Sequence, residues 1–237
     1  RLEEHASELA EHFAQSTELE DLAKALSYGE MAAQRAMSVY AYSEAAGHLE
    51  RCLQVHEVLS PDDKARRCDL LLALGETLMP AGEPQRVYET VAAEASELAE
   101  AIPDRSRASR SCRVALEAIL RYAGVAATGT TPEHRQWAER SDEYAEPGTP
   151  DRVFADLAMA IVRAIEGRHA DARVLVVRAL ELARKLDDPE ALYRVATLFI
   201  QAPRVHDEEE RWGLVQQMAA HPHVGVAPRT LGPWLQE

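Results

Sequence analysis

The chain has 237 residues, and its 40 acidic and 26 basic side chains give a formal net charge of −14 at pH 7. A surface this acidic repels phosphate backbones, so we do not expect direct contact with nucleic acid. Hydrophobic residues make up 46% of the sequence, but only 5% of the residues are aromatic. Because Ala, Leu, Glu and Arg dominate, the composition favours helices over strands.

The sequence carries the marks of a reducing compartment and no membrane segment. No apolar run is long enough to span a bilayer, and no signal-peptide pattern opens the chain. Cys52, Cys68 and Cys112 lack CxxC spacing and fall at apolar helical positions, as small buried hydrophobic residues do. The first residue is Arg, and a helical pattern begins at once. We therefore expect a piece of a longer cytoplasmic protein.

The first elements in chain order are three predicted helices. Residues 1–16 form a leading helix, which we assign to the junction with an upstream domain. Thr17 and Glu20 have capping-box spacing before a second helix that runs to about Val39. The chain then turns near Tyr40, and a third helix covers about 42–59. Gly47 is unfavourable inside that helix, so we expect tight packing there.

Residues 68–102 show the predicted architecture most clearly. Apolar side chains recur at steps of three and four, the period of a helix face. They are Leu71, Leu74 and Leu78 in the first half, then Val87, Val91, Ala95, Leu98 and Ile102 in the second. Pro80, Gly82 and Pro84 interrupt the pattern. A break this short predicts two antiparallel helices.

The punctuation of this hairpin recurs along the chain. One series marks turns inside helix pairs, and a second marks turns between pairs. The two series are Gly82, Gly124, Gly167 and Pro61, Pro103, Pro147, Pro189. Their period of about 42 residues predicts a solenoid of stacked antiparallel helix pairs.

Four predicted helix starts follow one local pattern, a capping residue, a proline and an acid. It occurs at residues 60–63, 131–133, 149–151 and 188–190, and Asp207 with Glu210 fits a capping box. Apolar stripes include Leu157, Ile161 and Ile165, and later Trp212, Val215 and Met218. We place the repeat domain at 17–219, and an irregular tail or the start of another repeat at 220–237.

The predicted helix after Pro103 is the basic part of this acidic chain. Arg offers a planar fork of donors, so Arg110, Arg113 and Arg121 are candidate ligands for a phosphate or carboxylate. The alternative is a solvated face paired with acids of the preceding helix, such as Glu94 and Glu97. The Gly-rich stretch 124–131 contains no nucleotide P-loop.

Catalytic motifs are missing from the sequence. It has no GxSxG and no HExxH, and the acids fall at spacings typical of solvated helix faces. His5 and His12 have no third metal ligand nearby. We expect a module that is not an enzyme and that needs neither cofactor nor metal.

The helix pairs resemble tetratricopeptide repeats. Leu74-Gly75, Gly82 and Val87 stand where that family has its Leu-Gly pair, turn glycine and small residue. Gly167 with Ala172 and Ala179, and Ala45 with Leu49 and Cys52, match it again. The period departs from the family's 34 or so residues, and Val87 and Cys52 replace Ala. The resemblance implies a right-handed superhelical solenoid.

A narrower resemblance covers about residues 1–219. The runs 24–29, 42–51, 66–76 and 179–186 are similar to the helical region that follows the ATPase module of large bacterial signalling ATPases. These include ATP-binding LuxR-type transcription regulators and ATPase-linked adenylate cyclases. The resemblance implies a cytoplasmic sensor module that binds a small-molecule inducer or a protein partner on its concave face.

Two further functions stay open. A scaffold would bind another chain or a second copy of itself, and exposed apolar patches would favour it. A small-molecule sensor would show a deep, polar-lined pocket. An enzyme without any recognisable motif would show a tight cluster of buried ionisable groups.

Overall fold

The computed structural model describes residues 5–124, 131–201, 205–220, 226, 228–231 and 234. Every regular element within these ranges is a helix, which confirms the predicted all-α fold. The chain divides into two compact units, Arg1–Gly124 and Val125–Glu237. A single repeat domain over residues 17–219 stays a prediction.

The described residues of unit 1 form six helices. They are α1 (Ala6–Ala14), α2 (Leu19–Ser38), α3 (Tyr42–Leu59), α4 (Lys64–Ala81), α5 (α-helical over Pro84–Arg86, π-helical over Val87–Val91 and α-helical again over Ala92–Ala101) and α6 (Arg105–Ala123). Their bounds match the predicted turns near Tyr40, Gly82 and Pro103.

Successive hairpins of unit 1 stack on one another. Each helix packs against its neighbours in the chain, and α4 also contacts α6. Ion pairs join helices that are two apart. Arg66 Nη2 of α4 lies 2.5 Å from Glu30 Oε2 of α2. Arg86 Nη2 of α5 lies 2.6 Å from Glu50 Oε1 of α3. The first helices of successive hairpins, α2 and α4, are therefore neighbours, and so are the second helices, α3 and α5.

Two glycines, Gly29 and Gly75, lie at close contacts between helices of unit 1. A Cβ atom on Gly29 of α2 would lie 2.5 Å from Cys52 Sγ of α3. A Cβ atom on Gly75 of α4 would lie 2.9 Å from Val114 Cγ1 of α6. The prediction of tight packing at Gly47 is wrong, because its nearest contact would be Arg51 Nη1 at 3.8 Å.

The hairpin of α4 and α5 is antiparallel, as predicted. Cys68 Sγ donates to the carbonyl of Ala95 at 3.2 Å, and Gly75 faces Val87 and Val91 further along. The π-helical turn at Val87–Val91 was not predicted. Such a turn inserts one extra residue, and the buried side of α5 shifts beyond it. Ala92, Ala95 and Ala99 are buried there, whereas the predicted core residues Leu98 and Ile102 are half-exposed.

Pro80 does not end α4, contrary to prediction. The helix continues to Ala81, and Gly82 ends it in the left-handed region at φ 92°. A proline in the last turn removes only one helical hydrogen bond. The Gly82 N–H bonds to the Met79 carbonyl at 3.2 Å, and the Glu83 N–H bonds to that of Leu78 at 3.0 Å. Glycine is required at this C-terminal cap because the backbone turns left-handed.

Unit 2 continues the all-helical pattern. Its described helices are α7 (Pro132–Tyr144), α8 (Pro150–Ile165), α9 (His169–Leu186), α10 (Pro189–Gln201), α11 (Glu208–Ala219) and the short α12 (Pro228–Leu231). Thr131, Thr149 and Asp188 cap three of them, at the predicted starts. By contrast, α4 begins at Lys64 rather than Pro61, and Asp63 accepts its capping hydrogen bond.

The core of unit 2 lies among α8, α9, α10 and α11. Tyr193 is fully buried there and donates from Oη to the Met218 carbonyl at 3.2 Å. The side chains of Arg173 in α9 and Glu210 in α11 form an ion pair. Ile165 and Trp212, predicted on inward stripes, are instead 47% and 62% exposed.

Candidate functional site

The three predicted anion-binding arginines lie on α6. Arg110 forms a fork with Glu76 of α4, and its Nη2 lies 2.9 Å from both carboxylate oxygens. Arg113 Nη2 lies 3.8 Å from the same carboxylate. Arg121, roughly two turns further along α6, donates from Nη1 to the Met79 carbonyl at 2.8 Å. The structure therefore brings Arg110 and Arg113 together on Glu76 and places Arg121 apart from them.

The alternative partners proposed for these arginines are not the ones found. Glu94 of α5 pairs with Arg67 rather than with α6. The acids that face α6 belong to α4 instead, where Asp69 accepts two hydrogen bonds from Arg107 at 2.8 and 2.9 Å. The reason is the stacking of α4 against α6, which sequence spacing alone did not show. Anion binding by Arg110, Arg113 and Arg121 stays a prediction.

Most of the Gly-rich stretch, residues 125–130, lies outside the described part of the chain. Gly124 ends α6 with φ 74°.

A groove along the α8–α9 hairpin is the site that sequence reasoning missed. It has a volume of about 860 Å3 and is also lined by the end of α7 and the following turn. Its apolar lining residues are buried Met159, half-buried Leu175 and Leu182, and Val174, which is 65% exposed. Its charged lining residues are Asp142, Arg152, Arg163, Asp171, Arg178, Glu181 and Lys185. Apolar and charged side chains together in one open groove are typical of sites that bind a peptide or a helix.

An ion cluster around the buried Asp156 holds one wall of the groove. The carboxylate of Asp156 in α8 is fully buried. Arg178 of α9 donates to it from Nε and Nη2, each at 2.6 Å. Arg152 donates to it from Nε at 2.7 Å and to Asp142 from Nη2 at 2.5 Å. The hydrogen bonding of Arg178 to Asp156 raises the pKa of Arg178 above its ordinary value. Removing either arginine would leave the buried Asp156 carboxylate only partly compensated, so the cluster holds α8 against α9.

Part of this site has a readable sequence signal. Arg152 and Asp156 are four apart on one helix, a spacing that favours an ion pair. The lining residues of α9 recur at steps of three and four, from Asp171 to Lys185. The pairing of Asp156 with Arg178 crosses a turn and is decided by packing.

Buried histidines and cysteines occur outside the groove. Burial raises the pKa of Cys52 to about 12 and that of Cys68 to about 11, so both thiols are unreactive. Burial lowers the pKa of His134 to about 4. Within the described ranges, no three His, Cys, Asp or Glu side chains form a group that could hold a metal ion.

Among the residues that the structure describes, no helix combines the length and apolar character that crossing a membrane requires.

Comparisons with known proteins leave the function to be argued from these residues. A comparison with protein-family models gives no match, and a search of curated proteins gives none either.

Proposed function

We propose that this chain is a protein-interaction and regulatory module that binds a segment of another protein. One observation carries the proposal: the groove along α8 and α9, which both apolar and charged side chains line. Within this groove the apolar side chain of Val174 is 65% exposed. An open groove with apolar and charged side chains favours a chain segment over a small polar ligand.

The stacking of hairpins supports a solenoid as the frame of this module. Side chains in equivalent helices are joined at sequence separations of 36 for Arg66 with Glu30, 38 for Arg107 with Asp69 and 37 for Arg173 with Glu210. Contacts repeated at this spacing are typical of repeat proteins. We propose a right-handed superhelix with a period of about 42 residues.

The cellular setting is proposed from the resemblance alone. The runs at 42–51 and 66–76 resemble the region that follows the ATPase module of LuxR-type regulators and ATPase-linked cyclases. In that setting, a partner that prefers one curvature of the superhelix would shift the ATPase between resting and active forms. A cytoplasmic location belongs to the same proposal.

A peptide selection tests the interaction function without assuming a partner. The full chain is immobilised, and a phage library of random peptides is selected against it. We expect enriched peptides that bind the wild type and lose affinity for Val174→Glu. The matched control is Val58→Glu, because Val58 on α3 is 67% exposed, close to the 65% of Val174. A library that yields no saturable binder would overturn the proposed function.

An anion sensor is the second candidate, favoured by the convergence of Arg110 and Arg113 on Glu76. A ligand phosphate or carboxylate would replace Glu76 at the Arg110 fork. A thermal-shift screen against nucleotides, sugar phosphates, acyl-CoA species and amino acids tests it, since a ligand of the folded state raises the Tm. We expect the double variant Arg110→Ala, Arg113→Ala to weaken an anionic hit by more than about tenfold. Unchanged affinity would exclude this site.

A self-association module is the remaining alternative. Sedimentation velocity over a range of protein concentrations distinguishes it, because a homo-oligomer changes its sedimentation coefficient with dilution. A concentration-independent monomer would exclude it.

A further inference from the structure

Side chains on the groove side of α9 recur every seven residues, the spacing found where two helices pack along each other. Leu175 and Leu182 are seven residues apart, and so are Arg178 and Lys185. All four line the groove, and Val174 stands beside Leu175. A seven-residue repeat of apolar and charged side chains matches the contact period of two helices packed along each other. The stripe thus has the geometry to receive another helix lengthwise.

Two hydrogen-bond donors on this stripe are available to a partner. Arg178 uses Nε and Nη2 on Asp156, and no bond to its Nη1 occurs among the described residues. Its side chain is 53% exposed. Lys185 is exposed, and among the described residues no carboxylate lies within ion-pair distance of its ammonium. Buried Asp156 holds the Arg178 guanidinium in place, so little side-chain entropy is lost when it binds.

The other charges of the groove have partners of their own. Arg152 pairs with Asp142 and Asp156, Arg163 pairs with Glu166, and Asp171 pairs with Arg168. The exception is Glu181, an exposed acid between Arg178 and Lys185 on the same helix. A partner would therefore meet cations at positions 178 and 185 and an anion between them.

We propose that this groove binds an amphipathic α-helix of a partner protein. The helix places apolar side chains on Val174, Leu175 and Leu182. It presents acidic side chains, seven residues apart, to Arg178 and Lys185. This inference rests on the proposed interaction function and adds the partner's conformation and charge pattern to it.

A second copy of this chain is not the occupant that we propose. The chain carries a net charge of −14, so two copies repel each other over long range. The same field makes the charge preference a stringent test. A non-specific encounter would favour a basic peptide, whereas the groove should favour an acidic one.

The test uses two designed helical peptides of about three heptads each. Both carry Leu and Ala on one face. One has Glu at two positions seven apart beside that face, and the other has Lys there. Each peptide is labelled with a fluorophore and titrated with the full chain while anisotropy is measured. We expect the Glu peptide to bind at least about tenfold more tightly than the Lys peptide.

Three variants of the full chain locate the binding. Lys185→Glu should weaken the Glu peptide and strengthen the Lys peptide, reversing the preference. Val174→Glu should weaken both peptides by at least about tenfold, and Val58→Glu should change neither. Lys185 and Val174 are exposed, so neither change disturbs the core.

The proposal is overturned if neither peptide binds saturably, or if Lys185→Glu leaves the ratio of the two affinities unchanged. Equal losses in Val174→Glu and Val58→Glu would also exclude the groove. If phage-selected peptides still bind while both designed peptides fail, the interaction function stands and the helical, acidic partner does not. Binding of extended, proline-rich peptides would have the same meaning.

Discussion

At the scale of single residues, the space around each glycine decides what it does. Gly29 and Gly47 lie on the two helices of the first hairpin, and both are unfavourable for a helix interior. Gly29 faces Cys52, whose Sγ would lie 2.5 Å from an added Cβ. A Cβ atom added at Gly47 would meet only the end of the Arg51 side chain, at 3.8 Å. Only the first of them is required by packing.

Alanine substitutions at these two glycines should act in opposite directions. We expect Gly29→Ala to lower the free energy of unfolding by about 1–3 kcal/mol, because the methyl group overlaps Cys52. Gly47→Ala should raise it by about 0.5–1 kcal/mol, because alanine favours the helix and nothing obstructs it. Urea unfolding followed by circular dichroism measures both.

The partner of Gly29 can be tested directly. In the double variant Gly29→Ala, Cys52→Ala, the second substitution should recover part of the loss. Strictly additive losses would show that the Gly29 contact does not limit the approach of α2 to α3.

At the scale of elements, two similar cap motifs have different outcomes. Asp207 and Glu210 form a complete capping box at the start of α11, with the Glu210 N–H at 2.8 Å from Asp207 Oδ1. The motif at Thr17 and Glu20 was predicted to do the same at α2. There the cap position is Glu18, and Ser16 Oγ accepts the Glu18 N–H at 3.1 Å. A three-residue spacing is necessary for a capping box and does not ensure one.

Alanine substitutions at Asp207 and Thr17 test which of the two residues caps its helix. Asp207→Ala should lower the free energy of unfolding by about 1 kcal/mol, the usual loss for an N-cap. Thr17→Ala should change it by no more than about 0.5 kcal/mol. Chemical denaturation provides both values, and equal losses would contradict the assigned cap positions.

At the scale of the whole molecule, buried histidines couple stability to pH. Burial lowers the pKa of His134 in α7 from an ordinary value of 6.5 to about 4. Burial and the charge of Arg173 lower the pKa of His206 to about 4, although Glu210 opposes the shift. Between pH 6.5 and 4 the unfolded chain binds more protons than the folded chain. The stability that these two neutral histidines contribute is therefore fully present above pH 6.5 and is lost as the pH falls toward 4.

The contribution of His134 can be isolated. A shift of this size corresponds to about 3 kcal/mol, lost in full below pH 4. We expect the Tm to fall on acidification from pH 7 to 5 and His134→Leu to flatten that dependence. His12→Gln is the control, because His12 of α1 is exposed, and it should leave this dependence unchanged. An unchanged slope in His134→Leu would show that His134 already titrates near its ordinary pKa.

Local chemistry in the sequence determined the helices and most of their ends. The starts at Thr131, Thr149 and Asp188 were predictable because a cap bonds to a backbone N–H only three residues away. The turns at Gly82 and Gly167 were predictable because a left-handed residue favours glycine. The all-α class and the basic face of α6 followed from composition and period.

Only the tertiary structure decided which helices face each other, and with that the site. Glu76 rather than Glu94 receives Arg110, the π-helical turn carries Val87 and Val91 onto Gly75, and Asp156 joins Arg178 beside the groove. Each of these contacts joins residues more than ten positions apart. Their energy depends on the packing of whole helices, and the spacing of residues within one helix carries no information about it.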